Sequence, residues 1–285
     1  MTCPLCTREG SSNRYTLNEI YMVAQCPHCR VQYLNPQPSD EDLSRIYSRE
    51  YYKAWGLEES QISAAVRAMK LATFNRDLDI IERYVKGGRA LDLGCATGFF
   101  LEAARERGFE PYGVEFSSFA ANIAKSKFGE RAIYNGTAEQ TPFAAGSFDV
   151  ITMSDFIEHV RDPAAVLRKA KSLLKPGGII LITTPDYATW SRTLMGRHWT
   201  HYKEEHLYYF DPRSMHFAAQ EAGLSVVALE PAYKALNMLY AYSQFNTYPH
   251  WLFTPLVRVL YALMPRALAQ KNWHVPMGEL SAVLR

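Results

Sequence analysis

From Arg89 onward, the chain alternates between short apolar runs and stretches in which apolar residues recur at helical spacing. The runs of strand length are Ala90–Leu93, Tyr112–Phe116, Ala132–Tyr134, Asp149–Met153, Ile179–Thr183 and Leu224–Leu229. The amphipathic stretches between them are Phe99–Arg107, Phe119–Lys127, Ala164–Leu174 and Arg213–Ala222. Strands that alternate with helices form βαβ units, whose strands pair in parallel. The pattern therefore predicts an α/β fold built on a mostly parallel sheet.

The segment before Arg89 is more polar and aromatic, and it predicts helices that lead into the sheet. Prolines in Asn35-Pro36-Gln37-Pro38 mark a connector. Ser39 and Asp42 have the spacing of a capping box, so a helix should begin there. Apolar residues then recur at helical spacing as far as Tyr84, at Ile62, Val66, Met69, Leu71, Phe74, Leu78 and Ile81. We interpret this segment as lead-in helices rather than a separate core.

Composition and charge exclude several classes of protein. The 285 residues are 48% hydrophobic and 21% charged, which excludes an intrinsically disordered chain. The formal net charge is only +2, so bulk nucleic acid is a disfavoured partner. The longest apolar stretch, Trp251–Pro265, is interrupted by Pro255 and Arg258 and is too short to span a bilayer. The amino terminus carries no apolar run of the signal-peptide type, so we expect a cytoplasmic protein.

Four of the five cysteines form two matched pairs near the amino terminus. Cys3 and Cys6 make one CxxC motif, and Cys26 and Cys29 make a second, with 19 residues between the pairs. Two such turns supply four thiolates to one tetrahedral Zn²⁺ and leave no position open for substrate. A redox pair of the thioredoxin type needs a single CxxC motif at a helix start. The spacing therefore predicts a structural zinc site, with His28 as a bystander.

A glycine-containing loop after the first strand indicates a nucleotide site. Gly94 and Gly98 lie in the motif LDLGCATG, where they let the backbone pass close to a ligand. Glu115 ends the second strand, 21 residues after Gly94, where an acid can accept hydrogen bonds from ribose hydroxyls. The dinucleotide pattern GxGxxG is not met, because Ala96 stands between two glycines at a spacing of four. We therefore predict a nucleoside ligand without phosphates.

These motifs resemble those of class I S-adenosylmethionine-dependent methyltransferases. LDLGCATG, YGVEFS, GTAEQTPF, FDVITMSDFIEHVRDP and LKPGGIILITTP follow one another in the family's order between Arg89 and about Pro185. The four-cysteine amino terminus, the NPQPSDEDL connector and the later EEHLYYF extend the resemblance to cytoplasmic bacterial methyltransferases with a zinc-binding amino-terminal region. That group includes sugar methyltransferases of surface-polysaccharide and natural-product pathways.

The resemblance implies a Rossmann-like methyltransferase sheet whose last strand is antiparallel. Leu224–Leu229 would be the sixth strand and Glu279–Arg285 the seventh, with a helical insertion between them that emerges over the active site. The segment from Tyr233 to Arg285 has five bases and one acid, a net charge of +4. This charge, together with an apolar helical face, suits an anionic or lipid-linked acceptor or a peripheral membrane contact through residues 251–271. An ordinary helix packed on the domain fits equally well.

The predicted organisation has four parts. They are a zinc ribbon at 1–38, a helical lead-in at 39–88, a donor-binding methyltransferase domain at 89–232 and 277–285, and a helical insertion or lid at 233–276.

The resemblance also implies S-adenosylmethionine as the methyl donor and assigns residues around it. Glu115 should bind the ribose, and Ala96 replaces a glycine that is common in this loop. Asp92, Gly94 and Gly98 should surround the methionine part, and the turn after the third strand, at residues 137–139, should border the adenine. The predicted donor-binding residues are Asp92, Gly94, Ala96, Gly98, Glu115, Thr137, Ala138, Glu139 and Asp155.

Methyl transfer to a hydroxyl oxygen needs a base that removes the hydroxyl proton. His159 follows the fourth strand, and the pair Glu205-His206 follows the fifth, at the edge where parallel sheets bind ligands. In the sugar methyltransferases that this chain resembles, a Glu-His pair at the place of Glu205-His206 acts in deprotonation of the acceptor. We predict His206 as the general base, supported by Glu205. His159 is expected to pack at a helix start and is the second candidate for the base, with His201 and Glu204 as alternates for the pair.

The predicted function is methyl transfer from S-adenosylmethionine to a saccharide or another small hydroxyl acceptor, with carbon methylation as an open alternative. An rRNA or tRNA methyltransferase can also combine a zinc ribbon with this fold. The segment from Met1 to Asp40, however, carries three arginines and three acids and offers little surface for phosphates. A third class is a non-catalytic protein that binds the donor without consuming it.

Overall fold

A computed structural model describes residues 1–46, 64–247 and 253–285. Ile62 of the predicted lead-in and Trp251 of the predicted insertion lie outside the described residues. The strands are β1 (Ser12–Thr16), β2 (Met22–Gln25), β3 (Gln32–Asn35), β4 (Gly88–Leu93), β5 (Phe109–Glu115), β6 (Ile133–Asn135), β7 (Phe148–Ser154), β8 (Leu174–Pro185), β9 (Tyr208–Tyr209), β10 (Val226–Leu236) and β11 (Trp273–Leu284).

The helices cover the sheet and fill the insertion. They are α1 (Asp40–Ile46), α2 (Ala64–Ile81), α3 (Phe99–Glu106), α4 (Ser118–Phe128), α5 (Pro163–Leu173), α6 (Trp190–Met195), α7 (Pro212–Glu221), α8 (Met238–Thr247), α9 (Phe253–Leu263) and α10 (Arg266–Ala269). Short 3₁₀ turns span Ile157–His159 and Gly196–His198. No helix in these described ranges is both long and apolar enough to cross a bilayer.

The larger sheet has seven strands in the order β10-β11-β8-β7-β4-β5-β6. The pairs from β8 to β6 are parallel, whereas β11 runs antiparallel to both β10 and β8. This order confirms the predicted Rossmann-like methyltransferase sheet with its antiparallel last strand. It brings the carboxyl ends of β4, β5 and β7 to one edge, where the predicted donor residues lie.

Alternation of side chains along the strands builds two cores, one on each face of the sheet. Leu91 and Ile180 pack on the face that is covered by α5 and α7. Ala90 and Ile179, each one residue earlier, pack on the opposite face against α2, α3 and α4. Strands with both faces buried give nearly continuous apolar runs in the sequence. This explains why the strands could be predicted from short runs.

Three helices begin where polar caps predict or permit a start. Ser39 and Asp42 make the predicted capping box, in which the Asp42 amide donates to Ser39 Oγ over 3.1 Å and the Ser39 amide donates to Asp42 Oδ2 over 3.3 Å. Asp162 and Asp211 cap α5 and α7, and each is followed by proline. Proline suits this position because the first helical amide has no partner inside the helix.

The cysteine region forms a second, smaller sheet in the order β1-β2-β3-β9. The β9 strand comes from the segment after β8, so the amino-terminal strands are joined to the main domain by backbone hydrogen bonds. Val31 and Tyr33 belong to the same apolar cluster as Leu91 and Leu93 of the large sheet. The amino-terminal region is thus packed into the core of the main domain.

The insertion between β10 and β11 contains α8, α9 and α10. Both strands extend further than the sequence predicted, because Tyr233–Leu236 pairs with Trp273–Pro276 as the top of a long antiparallel ribbon. Pro231 lies where the register shifts and interrupts the apolar pattern that had marked the strand. Above the ribbon, the Asn237 side chain donates to Asn272 Oδ1 over 3.1 Å and ties the two ends of the insertion together.

Candidate active site

The loop between β4 and α3 is held in a conformation that glycine favours. Gly94 and Gly98 have φ values of 82° and 90°, and Ala96 between them has φ of 45°. A Cβ atom on Gly94 would lie 2.5 Å from the ring of Phe156. The amides of Gly94 and Cys95 donate to the Val114 carbonyl over 2.8 and 3.0 Å, which fastens the loop to the end of β5. The glycines are therefore required by backbone geometry and close packing.

Glu115 ends β5 and lies directly beside this loop. Its Oε2 accepts from the Ala96 amide over 2.9 Å, and its Oε1 accepts from the Ser117 amide over 2.8 Å. The side chain is 6% exposed. The two amides fix its orientation, and a carboxylate, with about four acceptor positions, is a suitable partner for ribose hydroxyls.

Asp92 lies one strand away, near the carboxyl end of β4, and is 4% exposed. The Thr152 hydroxyl donates to its Oδ1 over 2.7 Å. Burial raises the pKa of Asp92 to about 7, although the Thr152 hydrogen bond acts in the opposite direction. Asp92 therefore sits inside the edge of the sheet rather than on its surface.

The turn after β6 closes the predicted adenine side. Thr137 is half-buried, Ala138 is buried, and Glu139 is exposed. The Asn135 side chain donates to the Glu115 and Phe116 carbonyls over 2.8 and 3.0 Å. Sequence reasoning missed Asn135, because an asparagine at a strand end is also an ordinary turn residue.

Asp155 follows β7 with φ of 49° and lies at the same edge. Lys234 of β10 donates to Asp155 Oδ2 and to Glu279 Oε1 of β11, each over 2.7 Å. Burial alone would raise the pKa of Asp155, but the Lys234 ammonium more than offsets this and lowers it. No local pattern in the sequence predicts this network, since Asp155 follows β7 while Lys234 and Glu279 lie within β10 and β11.

The structure brings His159 and His206 together, with ring centroids 4.7 Å apart and planes at 88°. His159 lies in the 3₁₀ turn after β7, and its Nδ1 is 2.9 Å from the Glu205 carbonyl oxygen. That carbonyl can only accept, so Nδ1 carries the proton and Nε2 carries the lone pair. The Leu207 amide also donates to the Glu158 carbonyl over 2.8 Å and binds the two loops side by side.

The two imidazoles are neutral at physiological pH. Burial lowers the pKa of His159 to about 4 and lowers the pKa of His206 well below its ordinary range. His206 is 6% exposed. Neutral imidazoles can accept a proton or bind a cation.

The predicted support of His206 by the Glu205 carboxylate has a different geometry here. Glu205 Oε1 is 3.9 Å from Lys203 Nζ, and it is the Glu205 backbone carbonyl that orients His159. Of the two alternates, His201 packs against Trp199 at a centroid distance of 4.8 Å. Glu204 accepts a hydrogen bond from Asn18 and so faces the amino-terminal region.

Glu158 lies beside the histidine pair and was not among the predicted site residues. It is fully buried, and its Oε2 accepts from the Thr184 hydroxyl over 3.0 Å. Glu158 Oε1 is 3.9 Å from His159 Nε2. Burial raises the pKa of Glu158 well above its ordinary value, and the nearby Asp155 raises it further. The motif Glu158-His159 was visible in the sequence, but the depth of the carboxylate was not.

The four paired cysteines converge as their spacing predicted. Their Sγ atoms lie within 4.8 Å of one another, with 3.6 Å between Cys3 and Cys29 and 3.5 Å between Cys6 and Cys26. Four sulfurs bound tetrahedrally at about 2.3 Å from Zn²⁺ are about 3.8 Å apart, so the thiols fit that ion closely. Each CxxC turn ends in a left-handed residue, with φ of 58° at Thr7 and 68° at Arg30. The residues present thus fit a structural zinc ion.

Comparison with known proteins agrees with this geometry. The sequence model of a family described as "Methyltransferase domain" matches residues 68–229, more than half of the chain. The chain belongs to this family. The match begins in α2 and ends in β10, so it includes the donor loop, Glu115 and the histidine pair.

Curated relatives carry the name ubiquinone biosynthesis O-methyltransferase. The protein from Marinobacter nauticus is 36% identical over 105 residues, which cover 34% of this chain and 44% of that protein. The protein from Caulobacter vibrioides is 36% identical over 126 residues, covering 42% of this chain and 50% of that protein. The chain thus spans about half the length of the curated relatives it matches.

Solved structures share the fold at low sequence identity. A SAM-dependent methyltransferase from Thermotoga maritima, described as a possible histamine N-methyltransferase, has a TM-score of 0.55 and 17% identity, covering 86% of this chain and 98% of that chain. A SAM-dependent methyltransferase from Archaeoglobus fulgidus has a TM-score of 0.52 and 19% identity, covering 76% of this chain and 93% of that chain. At this identity the likeness supports the methyltransferase fold alone.

Proposed function

We propose that this protein transfers the methyl group of S-adenosylmethionine to a hydroxyl oxygen of a small acceptor. The observation that carries the proposal is the position of the anchored Glu115 carboxylate and the neutral His159–His206 pair at one edge of the sheet. The carboxylate is suited to the ribose of a nucleoside. The histidine pair is suited to accept the proton that leaves a hydroxyl group.

The donor side is built for a ribose and a backbone-lined pocket. Glu115 is oriented by two amides, so it can receive ribose hydroxyls without rearrangement. Gly94 and Gly98 keep side chains away from the loop, and the nearby Asp92 and Asp155 suit the charged methionine part. Methyl transfer is an in-line displacement, so positioning of donor and acceptor supplies much of the rate.

The part of the site that faces the methyl acceptor supplies the base that takes its proton. A neutral alcohol is a poor nucleophile, and its proton must leave as the oxygen attacks the methyl carbon. His206 and His159 are both neutral, and Nε2 of His159 carries a lone pair. The proton leaves toward this pair while the carbon–sulfur bond breaks and its electrons return to sulfur.

The acceptor class is proposed from the relatives' names and from the charge of the insertion. The named relatives are O-methyltransferases of ubiquinone biosynthesis, which favours oxygen as the methylated atom. The sugar methyltransferases that the sequence resembles favour a saccharide. The net charge of +4 from Tyr233 to Arg285 suits an anionic or lipid-linked acceptor, or peripheral membrane contact.

We also propose that Cys3, Cys6, Cys26 and Cys29 hold one structural Zn²⁺. Their sulfur separations support this, and the closed set of four thiolates gives the ion no part in methyl transfer. It would brace the small sheet that carries β9.

The experiment is a donor-consumption assay with purified protein. S-adenosylhomocysteine formation is measured with catechols and quinols as one acceptor panel and bacterial sugar nucleotides as another. Formation that depends on an acceptor supports the proposal, and the methylated atom is read by mass spectrometry and NMR. Tight donor binding with no turnover on any hydroxyl acceptor would instead indicate a non-catalytic protein and overturn it.

A further inference from the structure

Three side chains at the acceptor edge point potential metal-binding atoms at one another. Glu158, His159 and His206 each offer one ligand atom, and these atoms lie within 4.8 Å of one another. Glu158 Oε1 and His159 Nε2 are 3.9 Å apart. Two ligands at about 2.1 Å from a tetrahedral ion are about 3.4 Å apart, so a side-chain shift of well under 1 Å closes this pair on an ion.

Two polar atoms of these side chains are buried and unsatisfied. Glu158 Oε1 and His206 Nδ1 have no hydrogen-bond partner among the described residues. The two residues are 0% and 6% exposed, so bulk water does not compensate these atoms. A buried polar atom without a partner is destabilising, and such atoms therefore call for an explanation. A cation between them would satisfy both.

Hydrogen bonds to neighbouring groups orient two of the three side chains, as is usual for metal ligands. His159 Nδ1–H is bonded to the Glu205 carbonyl over 2.9 Å, which turns Nε2 toward Glu158. Glu158 Oε2 accepts from Thr184, which turns Oε1 toward the histidines. Second partners of this kind fix the tautomer and direction of metal ligands.

We propose that Glu158, His159 and His206 form a binding site for a divalent first-row transition-metal ion, separate from the cysteine site. Two imidazoles and one carboxylate suit Mn²⁺, Fe²⁺ or Zn²⁺ and leave coordination positions open. The cysteine site has only thiolates and no open coordination position. The two sites therefore differ in the metal ions that they prefer and in whether a substrate can reach the ion.

This site deepens the proposed function and, in its chemical role only, rests on it. A bound ion lowers the pKa of a coordinated hydroxyl and supplies a nucleophile at neutral pH. The acceptor O–H proton is then released to solvent, the oxygen attacks the methyl carbon, and the carbon–sulfur bond breaks. With the ion bound, the histidine pair would assist loss of the acceptor proton by holding the ion instead of accepting the proton directly, since one nitrogen lone pair cannot do both.

The test uses Mn²⁺ as the probe on the whole chain, purified in the presence of Zn²⁺. Mn²⁺ favours nitrogen and oxygen ligands over thiolates, so the cysteine site does not compete for it. Titration followed by the electron paramagnetic resonance signal of free Mn²⁺ should give one bound ion per chain. Glu158→Gln and His206→Asn should each weaken binding at least tenfold, whereas the exposed-site controls Glu221→Gln and His216→Asn should not change it.

Calorimetry with S-adenosylmethionine on each variant shows that the fold is retained. Wild-type protein that binds no Mn²⁺, or binds it equally well after Glu158→Gln and His159→Asn, would overturn the site. Loss of Mn²⁺ on Asp155→Asn alone would place the ion elsewhere and overturn it as well. These measurements need no acceptor, so their outcome does not depend on whether the proposed methyl transfer occurs.

Discussion

The carboxylate of Glu115 is held by two backbone amides at the end of β5. Glu115→Ala should weaken S-adenosylmethionine binding by about 1.5–3 kcal/mol, the range for hydrogen bonds to a charged group. Calorimetry measures the dissociation constant, with Glu106→Ala, an exposed acid on α3, as the matched control. Unchanged affinity in the Glu115 variant would exclude this residue from the donor site.

His206 is the residue on which the chemistry of the acceptor most depends. His206→Ala should lower turnover by about 10²–10⁴. Donor affinity should stay intact, because His206 packs against His159 and the ribose is expected at Glu115. Turnover is measured at saturating donor, beside His216→Ala as a surface control. If turnover survived in His206→Ala and vanished in His159→Ala, the leading role would pass to His159.

Asp77 of α2 should make the free energy of unfolding depend on pH. Burial raises the pKa of Asp77 to about 8, and Asp155 and Glu279 raise it further while Lys234 opposes them. Between about pH 4 and pH 8 the folded state therefore holds a proton that the unfolded state has released. The free energy of unfolding must fall as pH rises through this window, by up to about 1.4 kcal/mol per pH unit.

Asp77→Asn removes that titration, so its melting temperature should fall less than that of the wild type between pH 6 and pH 8. Circular dichroism at several pH values measures the slope. The exposed neighbour variant Asp79→Asn should keep the wild-type slope. Equal slopes in Asp77→Asn and wild type would mean that Asp77 is ionised in the folded protein at neutral pH.

Local spacing was enough to predict some of these residues and not others. The cysteine pairs and the Ser39 cap depend on neighbours a few residues away. The pairing of the glycine loop with Glu115 depends on the step from one strand to the next. The contact of His159 with the Glu205 carbonyl joins residues 46 positions apart through two irregular loops. No periodicity encodes such a contact, and so the partner of each histidine could not be predicted.

Among the elements, the insertion between β10 and β11 invites a direct test. Residues 238–271 can be replaced by a short turn, because Asn237 and Asn272 already lie within hydrogen-bond distance at the top of the strands. The shortened protein should keep donor affinity and lose turnover on the native acceptor. Donor affinity by calorimetry serves as the folding control. Turnover that persists in the shortened protein would show that the insertion is not part of the acceptor site.

The apolar surface of the insertion supports its proposed role as a contact element. In α9, Tyr261 stacks on Tyr242 of α8 at a centroid distance of 4.3 Å, so that face is used internally. On another face of α9, Leu256, Leu260 and Leu263 are 52%, 42% and 79% exposed. Large apolar side chains that remain exposed together are typical of contact surfaces.

The helices and strands of the main domain were predictable because burial sets their period. Alternation on the sheet and helical spacing on its covers each extend over several residues, which gives a redundant signal. The sequence pattern did not predict the full length of β10 and β11, because the paired segments Tyr233–Leu236 and Trp273–Pro276 form a two-stranded ribbon with mixed burial. There the sequence has no continuous apolar run to read.

At the scale of the whole molecule, the cysteine region and the acceptor loop share one sheet. β3 pairs with β9, and the Leu34 amide donates to the Leu207 carbonyl over 3.0 Å, next to His206. Cys26→Ser should therefore reduce bound zinc well below one per chain and also lower turnover. A shift of about 1 Å at a reacting group can cost about 10²-fold in rate.

Mass spectrometry of the metal content and a turnover assay give the two readings, while donor affinity should stay close to that of the wild type. His28→Asn, which changes an exposed residue inside the same CxxC turn, is the control and should retain zinc. Full zinc content in Cys26→Ser would refute the four-thiolate site. Zinc loss without any change in turnover would show that the small sheet does not position His206.

The pairing of β3 with β9 also constrains how new specificities can be assembled by recombination. Residues 1–38 and the segment from Trp199 to Phe210 lie far apart in the chain but form one edge-to-edge unit, since Tyr33 faces Tyr208 and Gln32 faces Tyr209. A chimera with a single crossover between them would join strands from two parents and expose mismatched side chains in a buried seam. Exchanges of acceptor preference between relatives should succeed only when both segments come from the same parent.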